Sequence, residues 1–531
     1  MLSEQLIDIL YSFIKCLIAG LHCPLNRSQG PTHVSPRAIT PTSFEYEEFP
    51  GTNEEESTNL LENTESFYAY GTNNCDVLTN TIADVPFNWF VPHKTKRGRF
   101  LTSICQSLPT VASIMLSAIA ISIFAGVFAY LDLETTDKCI AIQHYFNKSI
   151  PFQVMKRKLI GESFQVLLLN FWFSATIALL FGAKEFFKKF RSLLCTGLIM
   201  GLLVVIYKMY LFIFTADHNF SDSYKRYPAN FIFLLGVILS CIQIAYATRQ
   251  SITSIVLRIG QIFVFSFLMA ISYRYLIAPW FNQQKNEIYK AMIAAALPFI
   301  ALIPVAVSKY VVLCHCSGFV TPGLSYILVY FNYLVPVTLY RLMQADLTDI
   351  RLFVAFSLLH GIFNILAQLT RHFRENLWGR TLRLFTKNRW NLVPYSSPHN
   401  RRLQADLEIQ DMLSQFGTLL LSQVYMMFYR LSTFDVALSK EIKMIYPRVL
   451  IGLAIEFVFA WLSTFIQIWL YNIAIKTVWS RYWRRHLLAN VLIVVVTVSY
   501  FSPVLLSVFM SRMETLNKDK YAVQNCTTNF V

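Results

Sequence analysis

Charge is scarce in this chain. Asp, Glu, Lys and Arg make up 15% of its 531 residues against 55% hydrophobic ones, with a mean hydropathy of +0.45, and that excludes an ordinary soluble protein. Strand-sized alternation of apolar and polar residues is also missing, so helices are the elements expected to span a membrane. The ten cysteines form no CxxC pair or zinc-like spacing. Palmitoylation or plain packing explains Cys314-His315-Cys316 better than a metal does. GxGxxG and GxxxxGK[ST] are absent, which removes soluble-type nucleotide binding. Neither a metal nor another cofactor is expected.

The net charge is +15, yet residues 1–93 hold twelve acids and only three bases, Lys15, Arg27 and Arg37. The bases after residue 93 fall in short clusters between apolar runs, so nucleic acid is not an expected partner. Residues 1–21 lack the basic n-region of a signal peptide. Asp8, Ser12 and Lys15 share one helical face there, which suits an amphipathic helix on a membrane surface. Residues 22–107 read as a disordered acidic cytosolic tail ending in a basic stop.

Beyond it the reading is an all-α, polytopic membrane protein of about eleven transmembrane helices. Spans are expected at 108–131, 163–183, 192–215, 229–247, 252–279, 291–313, 321–343 and 349–369. A basic cytosolic loop follows at 370–403. Three more spans, 404–430, 449–471 and 488–510, fill 404–510 before an exoplasmic tail, 511–531. Lys94, Lys96, Arg97 and Arg99 place the amino-terminal tail in the cytosol, and later basic clusters alternate accordingly. Sequons at Asn147, Asn219 and Asn525 then fall outside as glycosylation sites, while the one at Asn26 falls inside. Lys156-Arg157-Lys158 is the misfit, a basic cluster on the outer side. Cys139 and Cys526 face the oxidising side, either paired or as free thiols.

The ninth span is the most informative. Gln404, Glu408, Asp411, Gln415, Thr418, Ser422, Tyr425 and Tyr429 recur at alternating steps of four and three, so one helix face is polar throughout. That face must meet protein or water, as a polar seam between helices or as a water-filled pathway. On the eighth span Ser357, His360, Asn364 and Gln368 follow the same spacing, and on the tenth Glu456, Ser463 and Gln467 do. Glu456 lies well inside its apolar segment, where the protonated form is favoured unless a cation is near. Lys208 and Arg258 are expected to snorkel to opposite interfaces. Pro298, Pro304, Pro336 and Pro503 are expected to kink their helices.

The function these features favour is a transporter or channel for a small solute or ion. The pathway candidates are His360, Asn364, Glu408, Asp411, Gln415, Glu456 and Gln467, and protonation of Glu456 or the Glu408/Asp411 pair would supply coupling. A lipid scramblase would use the same stripe facing a groove. A multi-pass receptor is a further class, though the outer loops are short. An enzyme is the minority reading: Ser357-Leu358-Leu359-His360-Gly361 resembles the histidine motif of membrane-bound acyltransferases, with Leu359 where tryptophan often stands, and the resemblance implies a catalytic His360 with Asn332 as partner. Glu56-Ser57-Thr58-Asn59-Leu60-Leu61 resembles an acidic dileucine sorting signal, and Tyr46-Glu47-Glu48-Phe49 a tyrosine-based one. These imply clathrin adaptors as partners, besides the lipid bilayer, and an endolysosomal membrane in preference to the cell surface.

Overall fold

A computed structural model describes residues 96–145, 152–214, 227–284, 286–315, 320, 322–347, 349–371, 373, 398–434 and 438–509. The helix expected over 1–21, the tail with Glu56, Leu60 and Leu61, the three outer sequons, the tail 511–531 and most of the loop 370–403 lie outside them.

Among the described residues every regular element is a helix. The order is α1 (Lys96–Tyr145), α2 (Phe152–Phe181), a short α3 (Ala183–Lys189), α4 (Ser192–Phe214) and α5 (Tyr227–Thr248). Then comes α6, made of Ile252–Ile255, Gln261–Ser272 and Ala278–Gln283 joined without a break by π-helical turns at Val256–Gly260 and Tyr273–Ile277. After it run α7 (Glu287–His315), a 3₁₀ turn (Pro322–Leu324), α8 (Ile327–Asp346), α9 (Ile350–Leu369), α10 (Pro398–Phe434), α11 (Leu438–Tyr471) and α12 (Ile475–Phe509). Each expected span lies largely within one of these helices. Among the described residues seven helices are long and apolar enough to cross a membrane: α1, α2, α4, α5, α6, α9 and α11. The chain is therefore a helical, multi-pass membrane protein.

Local chemistry sets several boundaries. Asp349 caps α9, its carboxylate accepting from the Arg351 amide at 2.8 Å, and Ser251 caps α6. Left-handed residues close two tight connections, Arg249 (φ 54°) after α5 and Asn472 (φ 50°) between α11 and α12; asparagine adopts that conformation at little cost. The helix of the ninth span starts at Pro398, one and a half turns earlier than expected.

The polar α10 stands at the centre, packed by α1, α8, α11 and α12. Of the residues from Arg402 to Met426, all but a few are buried, so this helix does not meet lipid with any full face. Its apolar side chains Ile409, Met412, Leu413 and Phe416 close on Val111 and Ile114 of α1 and on Val478 and Trp479 of α12. Trp479 Nε1 also donates to Ser113 Oγ at 2.8 Å, tying α12 to α1. By contrast α4 exposes Leu198, Ile199, Leu202, Leu203 and Ile206, a surface suited to lipid tails. Because tails are as apolar as leucine, association of such helices rests on close packing and polar contacts. Close packing is extreme between α9 and α11, where a side-chain carbon on Gly361 would collide with carbons of the Phe459 ring.

Two charged residues inside the spans have defined partners. Lys208 does not reach an interface alone: it pairs with Glu162 of α2 at 3.0 Å, both side chains largely covered. Arg258 donates to Gln250 Oε1 at 2.9 Å, back toward the start of its helix.

Candidate functional site

Three polar clusters surround α10 and α11. The first lies at the amino-terminal ends of α10 and α12. Arg402 Nε donates to Asp406 Oδ2 at 3.0 Å. His486 Nε2 lies 3.2 Å from Asp406 Oδ1, within reach but off the line of a good hydrogen bond. Gln410 Nε2 approaches His486 Nδ1 at 2.9 Å and donates to the His486 carbonyl at 3.0 Å. With the amide nitrogen fixed by that carbonyl, Nδ1 accepts and the ring proton is assigned to Nε2, on the side of Asp406. Asn490 extends the chain, its Nδ2 reaching Gln410 Oε1 at 3.4 Å and Tyr330 Oη at 3.3 Å. Tyr326 stacks on the imidazole at 4.8 Å between centroids. Arg371 donates to Gln404 at the same end.

The second cluster is centred on Glu408, which α9 and α11 enclose. Ser463 Oγ donates to Oε1 at 2.7 Å and Gln368 Nε2 to Oε2 at 3.1 Å. Gln467 Nε2 reaches Ser463 Oγ at 3.3 Å, and Tyr471 Oη donates to the Gln368 carbonyl at 3.0 Å. Glu408 thus accepts on both oxygens while being 5% exposed, the satisfaction a buried carboxylate needs.

Glu456 forms the third, about 10 Å further along α11 by helical rise. A cation is present there: Arg341 of α8 pairs with it through Nη2, and the two side chains are 0% and 2% exposed. Arg341 Nη1 donates to Gln344 Oε1 at 2.9 Å, and Gln344 Nε2 donates to Ser357 Oγ at 2.8 Å and the Phe353 carbonyl at 3.0 Å. His360 stacks on Tyr340 at 5.3 Å, and its Nε2 is buried with no hydrogen-bond partner among the described residues.

The structure therefore brings together Glu408 with Gln467, through Ser463, and His360 with Glu456, through Tyr340 and Arg341. Asp411 and Gln415 bond to each other along α10 at 2.9 Å. Asn364 is half-buried on α9, one helical turn from both His360 and Gln368. Thr418 and Ser422 return their hydroxyls to carbonyls of their own helix. Asn332 sits in a separate network, where Ser266 Oγ donates to its Oδ1 at 3.0 Å and its Nδ2 donates to Ser308 Oγ at 2.8 Å. The two residues of the acyltransferase resemblance thus occupy different networks. No group of three or more His, Cys, Asp or Glu able to hold a metal occurs among the described residues.

A small cavity of about 10 Å³ lies between α1, α8, α10 and α12, roughly the room one water needs. Ser122, Thr338, Ser414, Thr418 and Thr497 border it, yet its wall is almost wholly apolar, since the Ser122, Thr338 and Thr418 hydroxyls turn to backbone carbonyls.

Sequence reasoning passed over Arg341, Asp406, Gln410, His486 and Asn490. A signal existed for two of them, because Arg402, Asp406, Gln410 and Ser414 form a second row at steps of four on α10. Compared with models of protein families, with curated proteins and with solved structures, the chain matches none.

Proposed function

We propose that this protein is a transporter or channel for a small solute or ion, with a route along the seam between α10 and its neighbours and protonation of its buried carboxylates as the coupling step. One observation carries the reading. Glu408 and Glu456, both no more than 5% exposed, follow one another along the α11 side of the bundle, each held by polar partners from other helices, while Asp406 is buried on the opposite face of α10, toward α12. Ionisable groups inside a membrane protein are costly and are usually retained for ion or proton movement. The packed seam suits an occluded arrangement, with wider openings belonging to other states of the transport cycle.

The reading takes α1, α2 and α4 to α12 as eleven spans, with α3 at the interface, the amino terminus in the cytosol and the carboxyl terminus outside. It assigns Asn147, Asn219 and Asn525 to glycan attachment. It assigns Glu56, Leu60 and Leu61 to adaptor-mediated sorting toward endolysosomal membranes. Within the seam Glu408 is the leading proton acceptor, since its donors Ser463 and Gln368 are neutral and no cation is bonded to it among the described contacts.

The test is flux in proteoliposomes carrying the full chain, with an internal pH dye and imposed proton, sodium, potassium and chloride gradients. The parent should move protons, alone or with one of these ions, above empty liposomes. Glu408→Gln should lose the pH dependence of that movement while still purifying as a folded protein. Absence of flux under every gradient, or an unchanged pH profile in Glu408→Gln, overturns the assignment of Glu408.

A further inference from the structure

The first turns of α12 carry Lys476, Arg481, Arg484 and Arg485 followed by His486, and no Asp or Glu occurs anywhere in Ile475–Phe509. Lys476, Arg481 and Arg484 are exposed and Arg485 is half-buried. A flanking row of bases is the common way to fix the orientation of a span, and for that purpose only their number matters. Here the placement is more particular. The guanidinium of Arg402, from α10, lies 4.3 Å from the centroid of the Tyr482 ring, that of Arg485 at 5.2 Å and that of Arg481 at 5.7 Å. Two helices thus deliver three like charges to one aromatic ring.

Arg481 and Arg485, four residues apart on one helix face, repel each other. The ring's π-cloud offsets part of this repulsion, and Arg402, itself buried, is paired with Asp406. Beside them Arg484 lies 5.4 Å over Trp483, which is 40% exposed. One turn later the helix becomes apolar, in Leu487-Leu488-Ala489-Asn490-Val491-Leu492. The guanidinium groups therefore sit at headgroup depth, and Trp483 is the amphipathic side chain that favours this depth.

We propose that this end of α10 and α12 binds a phosphate-bearing anion, the phosphorylated headgroup of an anionic lipid in the adjoining leaflet. Phosphate is the matching chemistry because planar guanidinium forks meet its oxygens in pairs, and because a multiply charged anion can face Arg481 and Arg485 together on their shared helix face. The inference is independent of what the α10–α11 seam conducts.

Binding is measured on the full chain in phosphatidylcholine nanodiscs, with dioctanoyl phosphatidylinositol 4,5-bisphosphate, dioctanoyl phosphatidylcholine and free inositol 1,4,5-trisphosphate as probes. The bisphosphate lipid should bind and raise the melting temperature, an effect that weakens with salt, while phosphatidylcholine should do neither. Arg481→Gln with Arg485→Gln should weaken binding about tenfold or more, whereas Lys188→Gln with Lys189→Gln on α3 should leave it unchanged. Should the glutamine pair fail to fold, Arg481→Lys with Arg485→Lys carries the test, since lysine keeps the charge but loses the fork, and binding equal to the parent's would overturn the proposal. Equal binding of the free trisphosphate and the lipid would overturn the lipid as the source. A bisphosphate lipid held no better than phosphatidylcholine, or an α3 control as damaging as the arginine pair, overturns the site.

Discussion

Removing one member of the Arg341–Glu456 pair should damage the protein more than removing both. The two side chains are 0% and 2% exposed, so neither has water to fall back on when its partner goes. Breaking such a pair from one side costs about 3–5 kcal/mol, because a buried charge is left uncompensated. We expect that cost for Arg341→Met and for Glu456→Met, and about 3 kcal/mol for Glu456→Gln, which keeps an acceptor for Arg341 but not the charge. In the double variant Arg341→Met, Glu456→Met no charge is left. Gln344 loses the donor to its Oε1, about 1 kcal/mol, and Tyr340 loses the guanidinium 5.4 Å from its ring, about 1 kcal/mol more. The double variant should therefore lie about 2–3 kcal/mol below the parent, far short of the sum of the single changes. Reversible unfolding of the purified chain in mixed micelles, with the four proteins compared as a cycle, reads the coupling directly. Costs that add to within about 0.5 kcal/mol would show that the two residues do not interact in the membrane-embedded protein.

Gly361→Ala should cost about 1–3 kcal/mol, since the new methyl enters space held by the Phe459 ring; unfolding titrations check it, and Phe459→Leu in the same chain should recover part of the loss. Lys208→Met should destabilise the α2–α4 contact by about 1–2 kcal/mol by leaving Glu162 largely buried without its cation, and Glu162→Gln added to it should restore stability, again by unfolding. Changing the asparagines of the sequons one by one should raise gel mobility at Asn147, Asn219 or Asn525 and not at Asn26, whereas glycan on Asn26 would reverse the proposed orientation. Leu60→Ala with Leu61→Ala should shift a fluorescent fusion from endolysosomes to the cell surface without altering its melting temperature.

What could be read from the sequence was what depends on neighbours along the chain. Apolar length located the helices, and spacing at three and four put Glu408, Gln368 and Ser463 on helix faces that the structure joins. Pairing across helices was out of reach, because Arg341 and Glu456 are 115 residues apart and nothing in either segment names the other. Arg341 sits near the end of an apolar run, where an arginine reads as an interfacial anchor. On α10 attention to one stripe hid the row through Asp406 and Gln410, a limit that follows from assuming that a membrane helix has a single polar side; a helix enclosed by four others has none to spare for lipid. The pairing of Lys208 with Glu162 was missed for the same reason, since long side chains on adjacent helices are matched by tertiary packing, not by periodicity.

The two π-helical turns of α6 bear on how this chain tolerates changes of length. A π turn holds one residue more than the α-helix needs, so each is in effect an insertion that the helix has absorbed. Loss of one residue from Val256–Gly260 would let the turn relax to α-helix while Ser266 stays opposite Asn332. Loss of one residue within Gln261–Ser272 would instead rotate everything beyond it by about 100° and carry neighbouring side chains off their partners. Single-residue deletions along α6 should thus be accepted at two places and refused between them, with Phe263, Phe267 and Met269, all buried, marking the stretch whose register the bundle holds fixed.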